Sequence, residues 1–117
     1  MKNVILFGYG KMGSSIARGW MLKKLNFKFF VIERDLSLRN AALEDGFEAF
    51  KDIEQISKKL NVNDFDVIFL AVKPQQMANV VKSFCLLDHT KILFISIAAG
   101  LSFSWFKTNI NKDLKIV

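Results

Sequence analysis

One cysteine, one proline and one histidine stand among 117 residues, and each scarcity closes off a class of function. Cys85 alone cannot form an internal disulfide. With His89 as the only imidazole, no His/Cys cluster with metal-ligand spacing is available, and no metal site is expected. Cys85 lies among Val80, Val81, Phe84 and Leu86, the setting of a buried helix residue rather than of a reactive thiol. No apolar run approaches the roughly 18 residues of a membrane-spanning helix. Met1 leads straight into a strand pattern, without the charged, apolar and small-residue regions of a secretory leader. The expected compartment is therefore the cytoplasm, with no membrane partner. Repeats and low-complexity tracts are missing as well, which argues against solenoid and disordered architectures.

Acidic residues are in deficit. Eleven Asp and Glu face 17 Lys and Arg, giving a net charge of +6 and an isoelectric point of about 9.6. The basic residues are scattered, with only Lys23-Lys24 and Lys58-Lys59 adjacent, and no basic stripe interleaves with exposed aromatics. A solvated surface is the expectation and no nucleic-acid partner is implied, while the charge suits an anionic ligand. Apolar residues are plentiful at 51%, including 12 Phe, so the chain is expected to be globular. Its length fits one domain over residues 1–117, short for a complete two-domain enzyme.

Strand and helix patterns alternate from end to end. Strands are expected at Asn3 to Phe7, Lys28 to Glu33, Phe47 to Phe50, Asp66 to Val72 and Lys91 to Ser96. Helices are expected at Lys11 to Lys24, with Gly13, Ile16, Ala17 and Trp20 on one face, and at Ser37 to Glu44, with Ser37 as N-cap and a stop at Asp45-Gly46. Further helices are expected at Ile53 to Leu60 behind an Asp52 N-cap, at Gln75 to Phe84 with Met77, Val80, Val81 and Phe84 inward, and around Ser102 to Thr108. Asn61 to Asp64 reads as a turn, and Leu114 to Val117 as the start of a sixth strand, so that a truncated chain is expected, either cut at a domain boundary or encoded as this part alone and relying on another polypeptide. The pattern is that of an α/β domain, a doubly wound parallel sheet of the Rossmann type.

In such a sheet a ligand lies outside the carboxyl ends of the strands. After the first strand stands Gly8-Tyr9-Gly10-Lys11-Met12-Gly13, a G-x-G-x-x-G that ends a buried strand and opens a helix. In that context Gly8 suits the tight turn, Gly10 a close approach of backbone to pyrophosphate, and Gly13 close packing of helix on sheet. Unpaired N–H groups around Lys11 to Ser14 and the positive end of the helix dipole favour an anion there. After the second strand Glu33 favours a ribose 2′-hydroxyl, hence NADH, whereas Arg34 favours a 2′-phosphate, hence NADPH; the two signals conflict. After the fourth strand comes Ala71-Val72-Lys73-Pro74-Gln75, with Pro74 suited to the first turn of a helix. After the fifth, Ser96-Ile97-Ala98-Ala99-Gly100 offers small side chains against which a flat ring can approach.

GYGKMG, AVKPQ at Ala71 to Gln75 and SIAAGLS at Ser96 to Ser102, in this order and with Arg18-Gly19 in the first helix, resemble the N-terminal domain of pyrroline-5-carboxylate reductase over essentially the whole chain. The resemblance implies NADPH- or NADH-dependent reduction of the C=N bond of 1-pyrroline-5-carboxylate, the small-molecule substrate, to L-proline in proline biosynthesis. It implies Gly8, Tyr9, Gly10, Lys11 and Met12 at the pyrophosphate, with Gly13 completing the motif, and Glu33 and Arg34 at the adenosine ribose. Ala71, Val72, Lys73 and Pro74 fall at the nicotinamide end, and Ala98 and Ala99 flank the ring. The family usually has a small polar residue where Glu33 stands, so the NADPH preference does not carry over. It continues with an arginine, a Met-Pro-Asn-Thr-Pro type segment and a helical C-terminal domain that dimerises and supplies much of the imino-acid site. None of these is in the 117 residues, so a homo-oligomer is expected only where that domain is present, and this chain is expected to bind dinucleotide without turnover. Lys73 is the only ionisable side chain in the inner loops, and no catalytic residue is assigned. Two other readings stay open: a Rossmann dehydrogenase of 3-hydroxyacid or prephenate type, against which AVKPQ and SIAAG count, and a non-catalytic dinucleotide-binding module or remnant.

Overall fold

The computed structural model describes residues 2–86, 91–97, 101–110 and 114–117. Six strands, β1 (Lys2–Phe7), β2 (Phe27–Ile32), β3 (Glu48–Phe50), β4 (Phe65–Leu70), β5 (Leu93–Ser96) and β6 (Lys115–Ile116), form one sheet in the order β3-β2-β1-β4-β5-β6. Every pairing is parallel. The connecting helices are α1 (Lys11–Lys23), α2 (Leu36–Glu44), α3 (Ile53–Ser57), α4 (Pro74–Lys82) and α5 (Phe103–Asn109). The chain moves outward from β1 to β3, crosses back, and moves outward again from β4 to β6. The order therefore reverses between β1 and β4, and right-handed crossovers place α1 and α2 on one face and α3 to α5 on the other.

The carboxyl-terminal halves of β1, β2 and β4 are apolar because both faces are covered there, with Lys2, Asn3, Lys28 and Asp66 confined to the other end, and alternate residues serve different layers. Ile5, Phe7, Phe30, Ile32, Ile68, Leu70 and Phe94 pack with Ile53, Ile56, Met77, Val81, Phe84 and Phe106. Leu6 and Val31 point the other way, to Tyr9, Ala17, Ala42 and Phe47, with Trp20, Phe29 and Phe69 at the margin. The Trp20 indole stacks on Phe29 with centroids 4.9 Å apart and meets Phe69 edge-on.

Helix starts follow local chemistry. Asp52 caps α3, its carboxylate accepting from Gln55 N–H, and Ser102 caps α5 through Trp105 N–H. Pro74 is the first residue of α4, where its missing N–H costs nothing. The N-cap of α2 is Asp35 and not Ser37: the chain is extended at Asp35 and its carboxylate accepts from Leu38 N–H, which leaves Ser37 inside the first turn. Other boundaries shift by a few residues. β4 runs from Phe65 to Leu70, so Val72 has left the sheet; α3 ends at Ser57; residues Val62–Asp64 and Ser83–Leu86 are 3-10 turns. The side chain of Cys85, and His89, lie outside the described residues.

Candidate functional site

The carboxyl ends of the strands are laced by main-chain hydrogen bonds that run one residue past each strand. Glu33 N–H donates to Phe50 O, Gly8 N–H to Ile32 O, Ala71 N–H to Phe7 O and Ile97 N–H to Leu70 O, at 2.8 to 3.2 Å. The loops leaving β1, β2, β4 and β5 therefore start from one rigid rim. On it Gly8 has φ 99°, a conformation that disfavours any side chain, and a Cβ there would lie 2.8 Å from the Ala71 carbonyl oxygen. At Gly13 a Cβ would lie 2.0 Å from the Gly8 carbonyl oxygen, so α1 sits against the turn at a distance only glycine permits. Gly10 differs, since a Cβ there would meet nothing within 4 Å. The space in front of it is open.

Helix α1 begins without a side-chain cap or an acidic residue in its first turn. Ser14 N–H is the first to find its helical partner, at Gly10 O, so the N–H groups of Lys11, Met12 and Gly13 have no partner within the helix and are donors for an anion. Lys11 and Met12 are exposed beside them. This set of donors, next to the open side of Gly10, fits a pyrophosphate.

At the end of β2 the Glu33 carboxylate is gripped by main chain. Tyr9 N–H donates to Oε1 at 2.7 Å and Asp35 N–H to Oε2 at 3.0 Å. Glu33 thus ties the glycine turn to the start of α2. Arg39 closes the same loop from behind, its Nη1 donating to the carbonyls of Glu33 at 3.0 Å and Arg34 at 3.2 Å. In front of Glu33 opens a cavity of about 430 Å3, inside the range of about 300–1,000 Å3 for small-molecule clefts. Its walls come from Gly8, from Ile32 to Asp35, from Lys51 to Ile53 after β3, from Val72 ahead of α4, from Gln76, Asn79 and Val80 on it, and from Ser83 just past its end. The topology places it at the reversal of strand order, on the β2 side.

Tyr9 is placed differently from its neighbours in the motif. Its side chain is 1% exposed, packs edge-on against Phe47 and lies in the layer beneath α1 and α2, turned away from the crevice. With its N–H held by Glu33, what Tyr9 offers a ligand is confined to the backbone. Its hydroxyl donates to Asp45 Oδ2 at 2.5 Å, and Arg18 reaches the same oxygen through Nε and Nη2 at 3.1 Å. Burial, reinforced by the hydrogen bond to and the charge of Asp45, pushes the Tyr9 phenol up to about 12. The same hydrogen bond, followed by Arg18, holds the Asp45 carboxyl below its ordinary range.

Of the expected site residues, the structure brings Gly8, Glu33, Arg34 and Val72 to one cavity, while Gly10, Lys11, Met12 and Gly13, at the start of α1, are not among its walls. Ala71 supports the glycine turn, and Lys73 and Pro74 are exposed at the start of α4. Ala98 and Ala99 lie outside the described residues. Lys51, Asp52, Gln76, Asn79 and Ser83 were not legible as wall residues. The first two follow a strand, and reading the end of β3 as the other strand ends were read finds them.

A family model described as NADP oxidoreductase, coenzyme F420-dependent, matches residues 3–100. A curated relative, pyrroline-5-carboxylate reductase of Vibrio alginolyticus, is 29% identical over 116 residues, 99% of this chain and 42% of that protein. Among solved structures, 1-pyrroline-5-carboxylate reductase from Streptococcus pyogenes superposes with a TM-score of 0.74 at 26% identity, over 97% of this chain and 40% of the other. Prephenate dehydrogenase from A. aeolicus, solved in complex with hydroxyphenyl propionate and NAD+, gives a TM-score of 0.81 at 15% identity, again over 97% and 40%, a likeness of fold. The chain spans less than half the length of each of these relatives.

Proposed function

The chain belongs to the NADP oxidoreductase, coenzyme F420-dependent, family, and from that premise we propose that it is the dinucleotide-binding part of a pyrroline-5-carboxylate reductase, reducing the C=N bond of 1-pyrroline-5-carboxylate to L-proline. The observation that carries the reading is the contact between the two segments that resemble that enzyme. The Gly8 turn of GYGKMG rests on Ala71, the first residue of AVKPQ, so closely that a methyl group could not be inserted. The likeness to the Vibrio alginolyticus and Streptococcus pyogenes reductases supports it.

When bound, a reduced nicotinamide supplies the hydride. This chain's own residues bind and orient. The first N–H groups of α1 hold the pyrophosphate against the helix dipole. Glu33 receives the adenosine ribose, and the backbone from Ala71 to Pro74 guides the nicotinamide end across the rim. Protonation of the imine nitrogen is assigned to no residue of the chain. Lys73 is exposed, and the remaining length of the relatives is the place to seek that group.

The test is a hybrid in which this chain replaces the matching stretch of the Vibrio alginolyticus reductase. Formation of proline from 1-pyrroline-5-carboxylate with NADH or NADPH, abolished by Gly10→Asp, is the expected result. A folded hybrid that binds dinucleotide but forms no proline would remove the assigned substrate while leaving the cofactor role.

A further inference from the structure

We propose that the site selects NADH over NADPH, and that the Glu33 carboxylate, fixed between two main-chain donors, is what decides it. The proposal rests on the dinucleotide-binding reading above. Glu33 and Arg34 give opposite signals as a pair of letters, and the geometry separates them. Both carboxylate oxygens of Glu33 accept from main chain, Oε1 from Tyr9 and Oε2 from Asp35. Each oxygen keeps a further lone pair, so the group can still accept from the 2′- and 3′-hydroxyls of a ribose. It cannot swing aside for a phosphate, because turning it away leaves two main-chain N–H groups without a partner.

The rest of the wall points the same way. A 2′-phosphate asks for cations in the cavity, arranged as a fork. Arg39, which the loop holds most firmly, uses Nη1 on the carbonyls of Glu33 and Arg34 and is not part of the wall. The cavity is lined by three carboxylates, Glu33, Asp35 and Asp52, against two cations, Arg34 and Lys51. The chain carries +6 overall, yet its cleft beside β2 is acid-weighted. Asp35 and Asp52 are further held in place as caps of α2 and α3. A dianion brought to this spot meets fixed negative charge at close range, whereas a neutral hydroxyl meets acceptors.

Calorimetric titration of the chain with NADH and NADPH at one ionic strength reads the ratio directly. The expected result is NADH tighter by about tenfold or more. In Glu33→Gln the ratio should collapse towards unity, chiefly because NADPH binds better. A ratio unchanged in Glu33→Gln, with both affinities reduced alike, would make Glu33 a brace of the loop and overturn its role in selection. Tighter NADPH in the unmodified chain overturns the proposal whatever the variant does, so it remains testable if the variant is unfolded by circular dichroism. Binding of neither nucleotide removes the cofactor reading itself, and the proposal falls with it.

Discussion

Beneath α3, α4 and α5 the sheet carries a thick apolar layer, with Phe7, Phe30, Phe65, Phe84, Phe94 and Phe106 among its buried side chains; beneath α1 and α2 it carries Leu6, Tyr9, Ala17, Val31, Ala42 and Phe47. The first layer keeps its helices apart with large rings and is held by volume. The second lets α1 come close, through Gly13 and Ala17, and is held by distance, with a phenol hydrogen-bonded to a carboxylate at its outer edge. The difference follows from position. Helix α1 must bring its first turn up to the rim of β1 to offer its N–H groups, which excludes bulky side chains at the contact. The helices of the other face carry no such demand and can be filled with Phe.

If the thick face is held by volume, its largest loss comes from emptying it. Phe84 is fully buried and meets Phe7 and Phe94 with ring centroids 5.3 Å apart in each case. Phe84→Ala should cost about 3–5 kcal/mol, measured by urea unfolding. A cost below about 1 kcal/mol would mean that the layer collapses onto the gap. The corresponding insult to the thin face adds a single methyl. Gly13→Ala places a Cβ 2.0 Å from the Gly8 carbonyl oxygen, a backbone atom that cannot rotate away. We expect a loss of about 3 kcal/mol and, unlike Phe84→Ala, disappearance of dinucleotide binding from the molecules that remain folded, because α1 and the turn are pushed apart.

The polar edge of the thin face gives a smaller, pH-dependent effect. The Tyr9 phenol, raised from 10.0 to about 12, keeps its proton in the folded chain where the unfolded chain has lost it. Its contribution is complete below pH 10 and is lost as the pH climbs towards about 12. Tyr9→Phe should flatten the alkaline limb of a denaturation series. Asp45 runs the other way: its lowered value adds stability above the ordinary carboxylate range, lost as the pH falls through the folded value. An alkaline limb that is identical in Tyr9→Phe would assign that limb to other groups.

Much of this was legible because it is periodic or local. The two-residue alternation of the strands, the N-cap at Asp52 and the Pro74 start of α4 each need only a few neighbouring residues. The cap of α2 shows the limit of local reading. Asp35 and Ser37 are both competent caps, and the choice fell to whichever sat where the chain is still extended. What was not legible depends on contacts distant in sequence. Tyr9 reads as a motif residue facing ligand, yet its ring goes to the core because Asp45, 36 positions away, receives its hydroxyl. Glu33 reads as a free acceptor, but β1 and β2 lie side by side and its Oε1 reaches the turn 24 positions back. Lys51 and Asp52 join the cavity because β3 pairs with β2, a neighbour relation that a three-residue strand hardly announces.

The smallest expected change in stability is at Gly10, and it separates a glycine kept for the fold from one kept for the ligand. Its backbone, at φ −71° and ψ −165°, accepts any L-residue, and a Cβ there meets nothing within 4 Å. Alanine is a poorer N-cap than glycine by some tenths of a kcal/mol, and removing glycine's freedom in the unfolded chain returns a similar amount. Gly10→Ala should therefore unfold within about 0.5 kcal/mol of the parent, where Gly13→Ala, one turn away, does not. Its dinucleotide affinity should nonetheless drop by about tenfold or more, since the methyl occupies the approach that the pyrophosphate needs. Affinity that survives in this folded variant would show that the phosphates bind without passing close to Gly10, and the open space there would then owe nothing to the cofactor.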